Sequence, residues 1–133
     1  MSREVLADSG PLYAAADPED AHHRRAHREL KRLAREKRDV VVAYPTLLEA
    51  YTLVLYRLGK QAASNWLNDI LSGSTLWNPN PEDYRAAVRT LAGVEDQSIT
   101  LFDATLAAMS DRLGLKIWTY DHRFDLMRAA VWR

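Results

Sequence analysis

The sequence predicts a single α/β domain built on a parallel sheet. Short apolar runs alternate with helical segments along the chain, which is the pattern of strands joined by crossover helices. The 133 residues suit one hydrophobic core, and 47% hydrophobic with 27% charged residues is a globular balance. No repeat, low-complexity tract or Gly/Ser linker divides the sequence. We therefore expect one domain over residues 1–133.

Five short apolar runs are predicted as strands. The first is closed by Asp8 and the fourth by Asp121, and the second has the continuous apolar character of a buried strand. The fifth would lie at an edge of the sheet. They are Glu4–Ala7, Val40–Ala43, Thr75–Trp77, Lys116–Tyr120 and Ala130–Trp132.

Helices are predicted between these strands. A short helix over Leu12–Ala16 follows the breaking residues Ser9-Gly10-Pro11. Asp17-Pro18-Glu19-Asp20 predicts the start of the second helix, because it combines a capping acid, a first-turn proline and acids near the positive end of the helix dipole. The later helices are predicted over Leu47–Leu58, Gln61–Leu71, Pro81–Gly93 and Phe102–Leu113.

Four acidic residues stand at comparable places in this pattern. Asp8 and Asp121 end strands, whereas Glu49 and Asp103 lie in the first turns of helices. Ligands of an open parallel sheet bind beyond the carboxyl ends of its strands. We therefore expect the four carboxylates to converge on one rim of the sheet.

Converging carboxylates repel one another, and a divalent cation relieves that repulsion. Oxygen-only ligands in a chain without cysteine favour Mg²⁺ or Mn²⁺ over zinc. Such an ion can lower the pKa of a bound water and neutralise charge on a phosphate, so the pattern favours phosphodiester hydrolysis.

Each acid also has a purely structural interpretation. Asp8 and Asp121 could be turn residues, and Asp103 could complement a helix dipole. Thr46 and Glu49 match a capping box, in which the glutamate only satisfies a backbone amide. Only the joint placement of the four favours a metal site.

Three segments resemble the blocks of the PIN domain, and most closely those of VapC-type toxins. They are VLADSGPLYAAAD, YPTLLEAYTLVLYRLG and ITLFDATLAAMSDRLGLKIWTYDHRFD. The resemblance implies a three-layer fold with a central, mainly parallel sheet flanked by helices. It also implies a Mg²⁺- or Mn²⁺-dependent endoribonuclease that leaves a 5′-phosphate and a 3′-hydroxyl.

The resemblance assigns the catalytic, metal-binding quartet to Asp8, Glu49, Asp103 and Asp121, with Asp8 and Asp103 as the usual ligands. The fourth acid varies more in this family, and Asp125 is a second candidate for it.

Thr119, in the Thr-x-Asp position, would orient the site by hydrogen bonding, as would Ser9. The extra acid that family members often carry has its nearest counterparts here in Glu95 and Asp96, whose spacing is long, so we leave them outside the ligand set.

The positive charge is concentrated in residues 22–38, which contain eight Arg or Lys residues and only two Glu residues. This run could bind an RNA backbone, form a solvated face with pairs such as Arg25–Glu29, or dock a partner. His23 and His27 have a spacing that can bind zinc, although exposed helix histidines are far commoner.

Partners follow from the same resemblance: an RNA substrate, a cognate antitoxin and a second copy of the chain. Tyr51, Leu55 and Leu58 form an apolar stripe that is core or, with the helix around Trp66, part of the homodimer and antitoxin surface. No signal peptide or membrane-length apolar stretch is visible, so we expect a cytoplasmic protein.

Two other functions remain open at this stage. One is a non-catalytic PIN-like module that binds RNA or protein, and the other is a metal-dependent DNA nuclease. A phosphate-binding loop, a nucleophile elbow and a dinucleotide-binding glycine motif are all missing from the sequence.

Overall fold

A four-stranded parallel sheet forms the centre of the molecule in the computed structural model, which describes residues 3–133. The strands are β1 (Glu4–Ala7), β2 (Asp39–Ala43), β3 (Thr75–Trp77) and β4 (Lys116–Trp118). Their order is β3-β2-β1-β4, and every pairing is parallel. Because β1 lies between β2 and β4, its carboxyl end opens at the middle of the sheet rim.

Two of the strand predictions are too long. β4 ends at Trp118 rather than Tyr120, because the Thr119 hydroxyl accepts a hydrogen bond from the Asp121 amide at 3.0 Å and turns the chain. The predicted edge strand Ala130–Trp132 is a single parallel bridge between Val131 and Ile117.

Seven helices flank this sheet within the described residues. Their bounds are α1 (Ser9–Ala16), α2 (His23–Arg35), α3 (Tyr44–Leu58), α4 (Lys60–Gly73), α5 (Pro81–Gly93), α6 (Leu101–Leu113) and α7 (Arg123–Leu126). Gly59 and Gly114 end α3 and α6 with positive φ angles of 92° and 67°, a conformation that glycine adopts without steric cost. The short α7 was not predicted.

The predicted start of α2 at Asp17 is wrong. Asp17 instead closes α1, where its backbone amide donates to the Tyr13 carbonyl. The Asp17 carboxylate accepts from the Tyr13 hydroxyl at 2.5 Å and from the Glu19 amide at 2.9 Å. These local bonds stabilise a turn, so the helix begins only at His23.

The capping-box interpretation of Thr46 and Glu49 is also wrong. α3 begins at Tyr44 with Pro45 in its first turn, and no side chain caps it. Thr46 is therefore inside the helix and fully buried, and its hydroxyl has no hydrogen-bond partner. Glu49 lies in the second turn of α3, not the first.

The alternation of side chains along the strands divides the core into two layers. Val5, Ala7 and Val42 pack against α1, α3 and α4, whereas Leu6 and Val41 pack against α6 and α7. This arrangement confirms the predicted three-layer α/β architecture. It also holds the carboxyl ends of β1 and β4 fixed from both faces.

The apolar stripe of α3 is mainly interior. Tyr51, Leu55 and Leu58 pack against the first core layer, and Trp66 of α4 is only 7% exposed. Leu48 and Tyr56 of α3 are exposed to solvent, at 67% and 82%.

Within residues 3–133, no helix has the length and apolar character needed to cross a bilayer.

Candidate active site at the carboxyl ends of β1 and β4

Asp8 occupies the middle of the sheet rim. It directly follows β1 and serves as the N-cap of α1, where its Oδ1 accepts from the Ser9 amide at 2.9 Å. Its Oδ2 accepts from the Thr119 hydroxyl at 2.8 Å. The residue is 7% exposed. Two hydrogen bonds therefore fix the orientation of a nearly buried carboxylate.

The charge of Asp8 is not balanced by a cation. Burial raises the pKa of Asp8 to about 6, and the negative charges of Asp103 and Glu49 add to that rise. The hydrogen bonds from Thr119 and Ser9 oppose it. No Lys, Arg or His of residues 3–133 forms an ion pair with this carboxylate. The site thus keeps a buried acid in an unfavourable environment.

Asp103 approaches Asp8 from the N-terminus of α6. Thr100 and Asp103 form a capping box: Asp103 Oδ2 accepts from the Thr100 amide at 3.0 Å, and the Asp103 amide donates to the Thr100 hydroxyl at 3.1 Å. Asp103 is 8% exposed, and its Oδ1 has no hydrogen-bond partner in the described part of the chain. Asp103 therefore has a structural role and still offers one oxygen.

Glu49 and Asp121 differ from these two acids. Glu49 is exposed on α3, and its charge contributes to the raised pKa of Asp8. Asp121 is paired with Arg123, whose Nε lies 2.9 Å from both carboxylate oxygens and whose Nη2 lies 2.6 Å from Oδ2. Burial opposes the change, but these hydrogen bonds lower the pKa of Asp121.

An open cavity of about 540 Å³ connects the ends of β1 and β4. Asp8 and Asp121 both line it, whereas Asp103 and Glu49 lie outside its lining. Its remaining walls come from the start of α1, from the loop before α6 and from the turn after β4, namely Ser9, Gly10, Ser98, Tyr120, His122 and Arg123. The Asp8 carboxylate therefore lies in the wall of an open cavity.

The secondary candidates have other partners. Asp125 pairs with Arg133 at 2.7 Å, and Asp96 accepts from the Ser98 amide and hydroxyl. His23 and His27 contact the carbonyls of Ala14 and Ala15, at 2.8 Å and 3.0 Å. These bonds attach α2 to the end of α1, so the histidines have a structural role and the zinc interpretation gains no support.

Sequence reasoning missed two contacts at this rim. One is the Arg123–Asp121 pair, for which the sequence carried no signal, because a separation of two residues does not show where a guanidinium is directed. The other is Tyr120, whose hydroxyl donates to Glu29 at 2.6 Å while Arg25 lies 4.2 Å from its ring centroid. Arg25 also pairs with Glu29 at 3.5 Å, as predicted.

The chemistry of the Asp8 environment fits a divalent cation. A buried carboxylate next to two further negative charges, with no cation of its own, is stabilised by a doubly charged ion. Among residues 3–133, no three acidic or histidine side chains are close enough to ligate one ion together. One or two carboxylates with several waters is the usual mode for Mg²⁺.

Comparisons with known proteins agree with this architecture. Among solved structures, the chain is similar to VapC20 from Mycobacterium tuberculosis, a sarcin–ricin loop cleaving toxin, with a TM-score of 0.81 and 23% identity over 97% of this chain and 98% of that one.

It is also similar to VapBC2 from Rickettsia felis, bound to a DNA fragment from their promoter, with a TM-score of 0.76 and 13% identity over 98% and 97% of the chains. FitAcB from Neisseria gonorrhoeae gives a TM-score of 0.73 and 19% identity over 97% and 96%. No curated protein sequence matches the chain. The PIN domain profile matches residues 5–130, and the chain therefore belongs to the PIN domain family.

Proposed function

We propose that this protein is a divalent-metal-dependent endoribonuclease, the VapC-type toxin of a toxin–antitoxin pair, with its catalytic machinery in one domain. The observation that carries the proposal is the Asp8 carboxylate, which is buried, uncompensated and open to a cavity at the rim of a PIN fold. The similarity to a toxin that cleaves an RNA loop supports RNA as the substrate.

The proposed metal ligands are Asp8 and Asp103, directly or through water, with Glu49 and Asp121 completing the acidic site. A bound Mg²⁺ or Mn²⁺ would supply an activated water and neutralise charge on the scissile phosphate. The Thr119 hydroxyl and the Ser9 amide hold the Asp8 carboxylate in one orientation, so little of its freedom is lost when a ligand arrives. The cavity beside Asp8 receives the RNA strand.

The test is cleavage of single-stranded and loop RNA by the purified protein with Mg²⁺ or Mn²⁺, with EDTA, and with single-stranded DNA in parallel. We expect metal-dependent cuts in RNA that leave 5′-phosphates, and none in the Asp8→Asn variant. Asp111→Asn is the matched control, since Asp111 is an exposed acid on α6 that does not line the cavity beside Asp8. DNA cleavage would indicate the DNA nuclease, and metal-independent RNA binding without cleavage would indicate the non-catalytic module.

An antitoxin is the proposed protein partner, and the similarity to VapBC2 and FitAcB supports it. A groove of about 520 Å³ runs between α1, α2 and α4, with Leu12, Leu30, Trp66 and Ile70 in its walls. This mainly apolar groove suits one amphipathic segment of that partner. Co-expression with the protein encoded by the adjacent gene should give a stable complex that suppresses cleavage. Purification of this chain alone and active from the same co-expression would contradict the pairing.

A second copy of the chain is the other proposed partner. Leu48 and Tyr56 are highly exposed on α3, and Leu101 and Tyr84 are exposed around an apolar cavity of about 240 Å³ beside the start of that helix. Covering these side chains would remove apolar surface from water. Sedimentation at micromolar concentration should show a dimer that Leu48→Glu converts to a monomer. A wild-type monomer would contradict the dimer.

A further inference from the structure

Arg123 is a cationic residue in the lining of the cavity beside Asp8. Its guanidinium reaches Asp121 through Nε and Nη2, and its Nη1 donates to the Ser98 carbonyl at 2.8 Å. Its backbone amide donates to Asp121 Oδ1 at 2.9 Å. One side chain thus connects the turn after β4 with the loop before α6, residues 94–100.

The charge environment of Arg123 is that of the acidic site. The hydrogen bond to Asp121 raises the pKa of Arg123, and the charges of Asp121, Asp103 and Asp96 act in the same direction. Arg123 also lines the cavity that contains Asp8. A positive charge is therefore present in the same cavity as Asp8, but it pairs with Asp121 and not with Asp8.

This arrangement conflicts with Asp121 as a free ligand. Both of its oxygens are engaged by the guanidinium, and a divalent ion would need the same lone pairs. We propose that Arg123 is the internal counter-cation of this site, which pairs with Asp121 until a divalent ion displaces it from that carboxylate. The inference rests on the metal site of the proposed function.

Isothermal titration calorimetry of the metal-free protein with Mn²⁺ tests the proposal without any substrate turnover. Arg123→Gln should bind Mn²⁺ about tenfold more tightly than wild type, because the competing charge is gone. Adding Asp121→Asn to Arg123→Gln should remove that gain, since it comes from the released carboxylate. Arg85→Gln, which frees the exposed Glu82 of an ion pair on α5, should leave Mn²⁺ affinity unchanged.

Arg123→Lys keeps a charge but loses the bidentate fork, so an intermediate affinity is expected even if Arg123→Gln folds poorly. Equal Mn²⁺ affinity in wild type, Arg123→Lys and Arg123→Gln would overturn the proposal. The Arg123–Asp121 pair would then only connect the two loops. A gain that persists with Asp121→Asn would also overturn it. If the wild-type protein neither binds Mn²⁺ nor cleaves RNA, the proposed function itself fails.

A separate observation concerns the outer face of α2. Arg24, Arg28, Lys31 and Arg35 recur at intervals of four, three and four residues, which places them on one side of the helix over about 16 Å. All four are exposed, and none forms an ion pair, hydrogen bond or ring contact within residues 3–133. We call these four residues the α2 stripe.

The N-terminal end of α2 contacts Tyr120, which lines the candidate active-site cavity. Arg25 lies between Arg24 and Arg28 in the sequence and packs on the ring of Tyr120, which lines the cavity. Because the whole chain has no net charge, the excess of six positive charges in residues 22–38 is balanced by acidic residues elsewhere. We infer that the α2 stripe binds phosphates of the RNA strand that leaves the cavity, as a deepening of the proposed function.

Binding of a fluorescent RNA in the Asp8→Asn background tests this surface apart from catalysis. Changing the α2 stripe to glutamine should weaken binding of a long RNA and reduce the salt slope by about 0.7 for each lost phosphate contact. A short oligonucleotide that covers only the scissile site should bind as before. The control changes four other exposed cations to glutamine, namely Lys60, Arg89, Lys116 and Arg128.

Equal losses for the α2 stripe variant and the control would show a nonspecific effect of net charge and overturn the inference. Unchanged RNA binding with weakened antitoxin binding would assign the α2 stripe to the protein partner instead, and would also overturn it.

Discussion

Asp8 directly follows β1, and Asp121 lies in the turn after β4, the strand that pairs with β1, yet their environments are opposite. Asp8 is buried without a cation, and its pKa is raised to about 6. Asp121 is paired with Arg123, which lowers its pKa. The Thr119 hydroxyl connects the two, since it donates to the Asp8 carboxylate and accepts from the Asp121 amide. The comparison indicates that the unbalanced negative charge lies on Asp8, the carboxylate to which the proposed function assigns the metal ion.

The largest expected effect of breaking this contrast is on cleavage. Asp8→Asn should reduce the RNA cleavage rate by about 10³-fold or more, because the carboxylate that attracts the ion is lost. Asp121→Asn should cost less, since Arg123 already neutralises that acid. Single-turnover rates at saturating Mg²⁺ measure both. Equal rate losses for the two variants would contradict the distinction between an uncompensated Asp8 and an Asp121 that is paired with Arg123.

The next effect is on stability without metal. Because the folded pKa of Asp8 lies above its usual value of 3.8, ionisation costs stability as pH rises from about 4 to about 6, and the full cost persists above that range. Asp8→Asn should therefore raise the free energy of unfolding in EDTA near neutral pH by up to about 3 kcal/mol, with little gain near pH 4. Urea unfolding at both pH values checks this, and destabilisation near neutrality would contradict it.

Thr119→Val should give a smaller loss of activity. It removes the hydrogen bond that orients Asp8 Oδ2, and loss of such supporting contacts typically costs about 10–100-fold. Because that bond also lowers the pKa of Asp8, the pH at which Mn²⁺ binding sets in should move upward. Mn²⁺ titrations across pH measure the shift. Thr105→Val, which alters a threonine bonded only to its own helix, is the control.

The smallest effect concerns Asp121. Its folded pKa is lowered, so its stabilising contribution is present near neutral pH and is lost as pH falls through that pKa. Asp121→Asn should destabilise the metal-free protein by less than about 1 kcal/mol, because the pair is partly exposed to solvent. The sign is opposite to that for Asp8→Asn. A stabilised Asp121→Asn protein would show that Arg123 does not compensate this acid.

The sequence predicted the sheet and the position of Asp8 directly after β1, because apolar runs and the residues that end them are local signals. β1 and β3 have the predicted bounds, and α5 begins at Pro81 as predicted. The errors arose where one polar residue is compatible with two different local structures. Asp17 looks like a helix start but closes the helix before it, and Thr46 matches a capping box but is buried inside α3.

The charge balance of the site was beyond sequence reasoning. Arg123 was not singled out, because two residues of separation give no indication of how a guanidinium is directed. Its second contact, with the Ser98 carbonyl, joins positions 25 residues apart in the sequence. The burial of Asp8 likewise depends on β2 and β4 pairing with both sides of β1. Both features require the tertiary structure.

The ionisation of Asp8 tests the account most directly. Carboxyl carbon NMR of the metal-free protein, with Asp8→Asn for assignment, should show one aspartate that titrates near pH 6, and Mg²⁺ should move that titration to lower pH. An Asp8 carboxyl that titrates near the ordinary value of 3.8 and does not respond to Mg²⁺ would contradict the claim of an uncompensated, metal-binding carboxylate.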